Sequence, residues 1–532
     1  MDPLTKPITL PGNTNRITSS SPREDRSERR PPSWRGDVAS IIHVVLSLQL
    51  ILAGGAALAG LLLILSHQSA AEAGLLALFG AGIALLVAWS RRFFIRNHRS
   101  SIALNSAAVA LAWILGSLLA SLPIFFLTSF FGSGSPTNEA FGSWLNAWYE
   151  GASSLTSSGL TVTGDSTELP ASVQLWRSVC QWVGGAGLTV FALLVLVPAQ
   201  NGKGIYAAEA RDWNPNDDQR ITVKHILVTY LGLTATCALT FGLLGMPYWE
   251  NLNHSLIIVS TGGLTVTTDS FTSYRPALQT AAMVFMLLSA LSFASLFLLV
   301  TGRWKTLSKR SGLRAFLVWT GFLIGVAGIL ALLAPQSALR QTIFNLVSGI
   351  TTCGVATGSS SSWIAPVIPI LIIAMFIGGG SNSTAGGWKV DRAFWSLKTT
   401  HRIVLTRWSC PRQHRWNGYQ LREEATTHRS RHGIVLLALY LFFALGGFLL
   451  LRSSYPAEIG SDRVLFQTIS ALSAVGLSME LTGPDRPTLA KIFEISLMLI
   501  GRLEITAFLY LPVVVVKEMR ETLREKTKTS ED

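Results

Sequence analysis

Charge is scarce in this chain: 14% of its 532 residues are Asp, Glu, Lys or Arg, against about 25% in soluble globular domains. With 49% hydrophobic residues and a mean hydropathy of +0.41, a water-soluble enzyme is excluded and a polytopic membrane protein indicated. Cysteine is almost missing. Cys180, Cys237, Cys353 and Cys410 lie far apart without CxxC or metal-ligand spacing, so no disulfide framework or resident metal site is implied. The nine histidines are scattered and no nucleophile sits beside a base, so the chain is read as neither an enzyme nor a cofactor protein. A cleaved leader is not expected, because the first apolar run starts late and is too long. Residues 1–35, rich in Arg, Ser, Pro and Glu, and residues 517–532 read as cytoplasmic tails, the first disordered.

What the chain has in quantity is apolar runs. A bilayer needs about 20 residues per helix, and runs of that order fall at 38–65, 70–90, 102–128, 171–198, 222–248, 277–301, 314–335, 365–388, 432–451 and 488–515. Ten spans put both termini on one side. Cytoplasmic loops retain Lys and Arg; with the termini inside, the inner segments hold 35 of the 43 and the outer ones only Arg177, Arg275, Arg340, Arg452, Arg463, Arg486 and Lys491. The formal charge of +13 is therefore a topology signal and not a nucleic-acid site. Acidic residues exceed basic ones outside, which would gather cations at an outer mouth; Glu150 and Asp269, near the runs described next, are the leading candidates.

Four short runs of small residues around a glycine follow apolar stretches too short to cross: SSGLT from Ser157, TGGLT from Thr261, TCGVA from Thr352 and AVGLS from Ala474. Their glycines, Gly159, Gly263, Gly354 and Gly476, are 104, 91 and 122 residues apart. The chain thus reads as four copies of helix, half-helix, glycine run, helix, over 100–200, 220–302, 314–395 and 430–516, after an N-terminal two-helix hairpin at 36–90. The expected fold is an all-α membrane protein with these repeats around one pseudo-fourfold pore. Irregular backbone at membrane depth is tolerated only where it is buried in protein or lines a wet cavity. Rings of backbone carbonyls can replace the water of an alkali cation, and glycine supplies the dihedrals that aim them. Each half-helix precedes its run, so its negative dipole end would favour a cation at the centre. Flanking Ser157, Ser158, Thr161, Thr261, Thr265, Thr351, Thr352 and Ser478 would serve as auxiliary ligands or as loop braces.

Two further features interrupt the apolar pattern. Gly378 to Gly387, GGGSNSTAGG, holds no large apolar side chain and should break its span; close helix packing through small residues is the other reading. Arg502 stands about 21 Å into the last span, where a charge costs about 2.5 to 3.5 kcal/mol and marks a functional site. A structural ion pair with Glu494 or Glu504 is the competing reading. The basic, aromatic inner loop from Lys389 to His432 suits either a docking surface for a cytosolic subunit or simple interfacial anchoring.

From about residue 40 to the C-terminus the chain resembles the bacterial TrkH/KtrB potassium-transport subunits, relatives of fungal Trk and plant HKT proteins. Besides the four runs, the resemblance rests on Trp176–Pro198, Asn251–Val266, Phe376–Val390 and Gly501–Ile505; the leading hairpin is similar to the TrkH branch. It implies a potassium-selective pore in the plasma (bacterial inner) membrane, lined by Ser158, Gly159, Gly262, Gly263, Cys353, Gly354, Val475 and Gly476 with Thr161, Thr261 and Thr352 alongside, and potassium at their carbonyls. It also implies a gate of Gly378, Gly379, Gly380, Ser383, Thr384, Gly386 and Gly387 with Arg502, a homodimer, and a TrkA/KtrA-like nucleotide-binding cytosolic partner. Gly380, Ser381, Asn382 and Ala385 depart from the family pattern, as do Cys353 and the apolar Ala474 and Val475. A sodium-permeable or ion-coupled carrier with alternating access, whose broken helices would also bind ions at the midplane, is the alternative.

Overall fold

The computed structural model describes residues 34–94, 102–187, 219–308, 310–332, 338–408 and 420–503, with scattered positions between 505 and 520. Residues 1–33 of the expected tail, 188–200 of the first repeat, 409–419 with Cys410, Glu504 and nearly all of 517–532 lie outside the described residues. Every regular element among the described residues is helical. Among the described residues six helices are long and apolar enough to cross a membrane: Ile41–Leu65, Ala70–Ser90, Leu104–Phe131, Lys224–Leu243, Gly312–Leu330 and Gly433–Ser454. Their outward faces carry Leu, Ile, Val and Phe, as at Leu78, Leu243 and Phe442, which lipid rather than protein would cover.

The N-terminal hairpin closes because small residues face each other. A Cβ on Gly80 would stand 2.8 Å from the Ala53 carbonyl, an approach that favours helix pairing where no hydrophobic force acts between helices. Gln49 ties the hairpin to the first unit by donating to the Ala112 carbonyl at 3.0 Å.

Each unit then follows one plan: a long helix, a short pore helix, an extended glycine run and a final helix. The pore helices are Trp144–Thr156, Tyr248–Ser260, Ala338–Thr351 and Ser461–Leu472. All four end in the same way. Ser157, Thr261, Thr352 and Ala474 adopt the left-handed conformation, with φ of 55°, 53°, 53° and 52°. The next amide in each unit bonds back five residues, from Ser158 to Ser153, Gly262 to Ile257, Cys353 to Ser348 and Val475 to Ser470, each at 2.9 Å. These are Schellman caps, which satisfy the last helical carbonyls and turn the chain sharply. All four units therefore hold a β-carbon-bearing residue, polar in three of them, where glycine is usual, at roughly 1 to 2 kcal/mol each.

The final helices differ, and here the structure corrects the sequence reading. The run at 277–301 is not one continuous helix: Pro276–Ser289 and Phe293–Val300 meet at 113°. Ser292 caps the second piece by accepting from the Ser295 amide at 3.2 Å. The Ala290 carbonyl is taken by the Gly380 amide at 3.0 Å, and the Phe293 amide donates to Asn382 at 3.0 Å. A loop from another unit thus supplies the hydrogen bonds that the broken helix gives up. In the third unit the helix Val367–Ile377 stops at Gly378, and a new helix starts only at Val390.

Candidate functional site

The four glycine runs meet in a closed ring. A Cβ built on Gly159 would stand 2.6 Å from the Gly262 carbonyl oxygen, and one on Gly263 would stand 2.7 Å from the Cys353 oxygen. One on Gly354 would overlap the Val475 oxygen, and one on Gly476 would stand 2.8 Å from the Ser158 oxygen. Each glycine therefore leaves room for the carbonyl just before the next glycine, in chain order and back to the start. All four glycines have φ between 73° and 98°, a region that residues with a Cβ rarely adopt. The structure thus brings together Ser158, Gly159, Gly262, Gly263, Cys353, Gly354, Val475 and Gly476, all named from the sequence.

The hydroxyls around the ring act as braces. Thr161 donates to Glu150 at 2.9 Å, Thr261 to Ser260 at 2.7 Å and Ser478 to Gln467 at 2.9 Å. Ser157 donates to the Gln181 carbonyl at 3.0 Å, and the Ser158 and Thr156 hydroxyls are 2.8 Å apart. Thr265 and Thr351 bond to carbonyls of Thr267 and Val347, while Thr352 accepts from the Gly386 amide at 2.6 Å.

Glu150 is not a vestibule acid. It is fully buried, accepts from the Val162 amide at 3.1 Å and pairs with buried Arg177 at 3.3 Å. Arg177 also reaches the Thr265 carbonyl of the second run at 3.2 Å. Glu150 stands nine residues before Gly159, and the same offset gives His254, Asn345 and Gln467 in the other pore helices. Asn345 holds Thr357 by both its amide and its carbonyl at 2.9 Å. Three of the four pore helices thus brace their own run from that position. His254 instead faces Tyr274, 3.3 Å away. A buried pair broken on one side costs about 3 to 5 kcal/mol, so Arg177→Met is expected to lower the midpoint of thermal unfolding in detergent markedly, and adding Glu150→Gln is expected to recover part of it.

Arg486 forms a second buried network, bonding Glu494 at 2.6 Å and the Thr161 carbonyl at 3.4 Å; Tyr149 also donates to Glu494. This settles one sequence alternative: Glu494 is the partner of Arg486. Beyond the runs, Asp269 is exposed and accepts from the Ser273 amide at 3.1 Å. Asp165 accepts from the Thr268 hydroxyl and from Thr167, and these bonds hold its carboxyl below the usual value, so it remains ionised at neutral pH.

The Gly378–Lys389 segment is an irregular, largely buried loop packed directly against the ring. Besides the Gly386 to Thr352 bond, a Cβ on Gly386 would overlap the Ser473 carbonyl. Ser383 folds back on the Gly380 carbonyl at 2.6 Å, Thr384 donates to Ser289 at 3.0 Å, and the Val390 amide donates to Gly379 at 3.0 Å. A Cβ on Gly378 would overlap the Gly386 carbonyl, and one on Gly387 would stand 2.8 Å from Gly378, so the loop's two ends cross through glycine. Arg502 donates to Thr384 of this loop at 3.1 Å, to Gly185 at 3.0 Å and to Gly184. Gly184 and Gly185 lie at the C-terminal end of the first unit's final helix, where a cation is favoured.

The sequence profile of the TrkH family, described as cation transport protein, matches residues 105–317 and 313–520. The chain is 29% identical to the Trk system potassium uptake protein TrkI of Halomonas elongata, over 89% of this chain and 96% of that one. It is 27% identical to an uncharacterized cation transporter of Methanocaldococcus jannaschii, over 77% and 81%. The crystal structure of the potassium transporter TrkH from Vibrio parahaemolyticus superposes with a TM-score of 0.72 at 25% identity, covering 90% of this chain and 98% of that one. A multi-pass helical membrane protein whose fold and profile agree over most of its length, this chain belongs to the TrkH family of cation transport proteins.

Proposed function

We propose that the ring is a selectivity filter for potassium and that the chain takes up potassium across the plasma membrane with both termini in the cytoplasm. The closed interlock of the four glycine runs carries this reading. It sets carbonyls from four units around one axis without a fixed negative charge among them, so a cation can be desolvated and still leave. The pore helices point their C-terminal ends toward the ring, which adds favourable potential for a cation, and the ionised Asp165 beyond it supports accumulation at the mouth.

The Gly378–Lys389 loop and Arg502 form the gate on this reading, because the loop abuts the third and fourth runs and Arg502 tethers it. The names of the relatives support potassium as the substrate. The repeats run over 100–200, 220–302, 314–395 and 430–516; a homodimer with a cytosolic nucleotide-binding subunit of the TrkA type is the proposed assembly. Purified protein in liposomes is expected to pass rubidium well ahead of sodium without an imposed coupling gradient. Equal sodium flux would overturn the selectivity, and flux only with a coupled ion would favour the alternating-access carrier.

A further inference from the structure

Among the described residues, one carbonyl of the ring differs from the other three in having a side-chain donor. The Gln181 side chain, on the first unit's final helix and fully buried, donates from Nε2 to the Gly262 carbonyl at 2.5 Å. Its Oε1 accepts from the Leu264 amide at 3.4 Å. A single carboxamide therefore brackets Gly263, holding the carbonyl before it and the N–H after it. The orientation is fixed by chemistry, since a flipped amide would set oxygen against oxygen. Through its own carbonyl, Gln181 also receives the Ser157 hydroxyl, so it joins the first run to the second.

This contact explains an otherwise odd residue. The positions before the ring glycines are Ser158, Cys353 and Val475 in three runs and glycine only at 262. Gly262 lacks the positive φ of the ring glycines, so its dihedrals do not demand glycine. Space does: a Cβ there would stand 2.6 Å from both Cδ and Oε1 of Gln181. The fourth unit shows the counterpart. Gly184 and Gly501 occupy equivalent places, since a Cβ on either would overlap the carbonyl four residues before the ring glycine, Leu155 or Leu472. Counting back three residues from each gives Gln181 in one unit and Met498 in the other.

We propose that Gln181 is a specificity-determining positioning residue, whose amide fixes the Gly262 carbonyl at a potassium-sized distance from the axis. The inference rests on reading the ring as a filter. A carbonyl released from this bond can swing inward and close on a smaller ion, so the loss should appear as sodium permeation rather than as lost folding.

The test uses the full chain in liposomes and compares Gln181→Met with Gln174→Met. Gln174 is a buried amide on the same helix, two turns before Gln181; it holds the Ser166 and Leu169 carbonyls and accepts from Trp249 at the start of the second pore helix at 2.7 Å, with no bond to the glycine runs among the described residues. The rubidium-to-sodium flux ratio is expected to fall about tenfold in Gln181→Met, the weight of one such hydrogen bond, and to stay unchanged in Gln174→Met. Methionine already stands at the equivalent place in the fourth unit, which favours a folded variant; if it misfolds, Gln181→Asn, which keeps an amide too short to bracket Gly263, is expected to show the same fall. Gly159→Ser, expected to admit sodium, separates the two levels of the argument. An unchanged ratio in the folded Gln181 variant while Gly159→Ser shifts it overturns the role of Gln181, as would an equal fall in Gln174→Met; no shift in either ring-directed variant overturns the filter reading itself.

Discussion

The Gly354→Ala variant is expected to lose rubidium uptake by about 100-fold or more while still reaching the membrane. Two independent costs meet at this residue. Its φ of 83° is one that residues with a Cβ adopt only under strain, worth of order 1 to 3 kcal/mol. The added methyl would also fall on the Val475 carbonyl oxygen and crowd the Gly476 Cα, 3.1 Å away. That oxygen is backbone, so relief requires rotating a peptide of the ring itself and removing a proposed ion ligand. Gly142→Ala is the control: this glycine is exposed ahead of the first pore helix, its new Cβ would meet only the Glu139 carbonyl, at 3.1 Å, and uptake should persist. Near-normal uptake by folded Gly354→Ala would remove the ring from the conduction path.

Arg502→Ala should act in the opposite direction and raise flux about tenfold. A guanidinium beside the path repels each passing cation by about 1 to 4 kcal/mol at the effective dielectric of a protein surface. Its removal also releases the Thr384 carbonyl of the loop and the Gly185 carbonyl of the opposite unit. Arg502→Lys separates these effects, because lysine keeps the charge but lacks the planar fork that reaches two units at once. If repulsion dominates, Arg502→Lys stays slow; if tethering dominates, it approaches Arg502→Ala. Flux of Arg502→Ala equal to or below that of the parent chain would show that the residue holds the fold rather than restrains the ion. Trp113, whose ring centroid lies 5.8 Å from the guanidinium carbon, would then be its structural partner.

The glycine ring was legible because it is written in the residues that form it: four glycines, each after an apolar stretch too short to span. The interrupted helix at Gly378 was legible for the same reason, since ten small residues cannot hold a helix in lipid. The break at Ala290–Ser292 was not. Its local sequence is apolar enough to pass as one span, and the cause lies in Gly380 and Asn382, about ninety residues away, which supply the missing hydrogen bonds. Glu150 misled in another way: a carboxylate before a glycine run reads as an outer charge until Arg177 and the Val162 amide are seen closing over it. A signal for it did exist. A polar residue nine positions before each glycine gives Glu150, His254, Asn345 and Gln467, a periodicity visible only once the four runs are aligned on their glycines.

Because all four quarters of the ring come from one polypeptide, their symmetry is a matter of backbone alone. The cap residues repeat with φ between 52° and 55°, yet Ser158, Gly262, Cys353 and Val475 precede the four glycines, and a glutamine side chain holds one quarter. A ring assembled from four identical subunits would have to place four glutamines or none. On the proposed filter reading, a mutation here can tune one ligand in four, so ion preference can change in small steps without dismantling the scaffold that the repeats share.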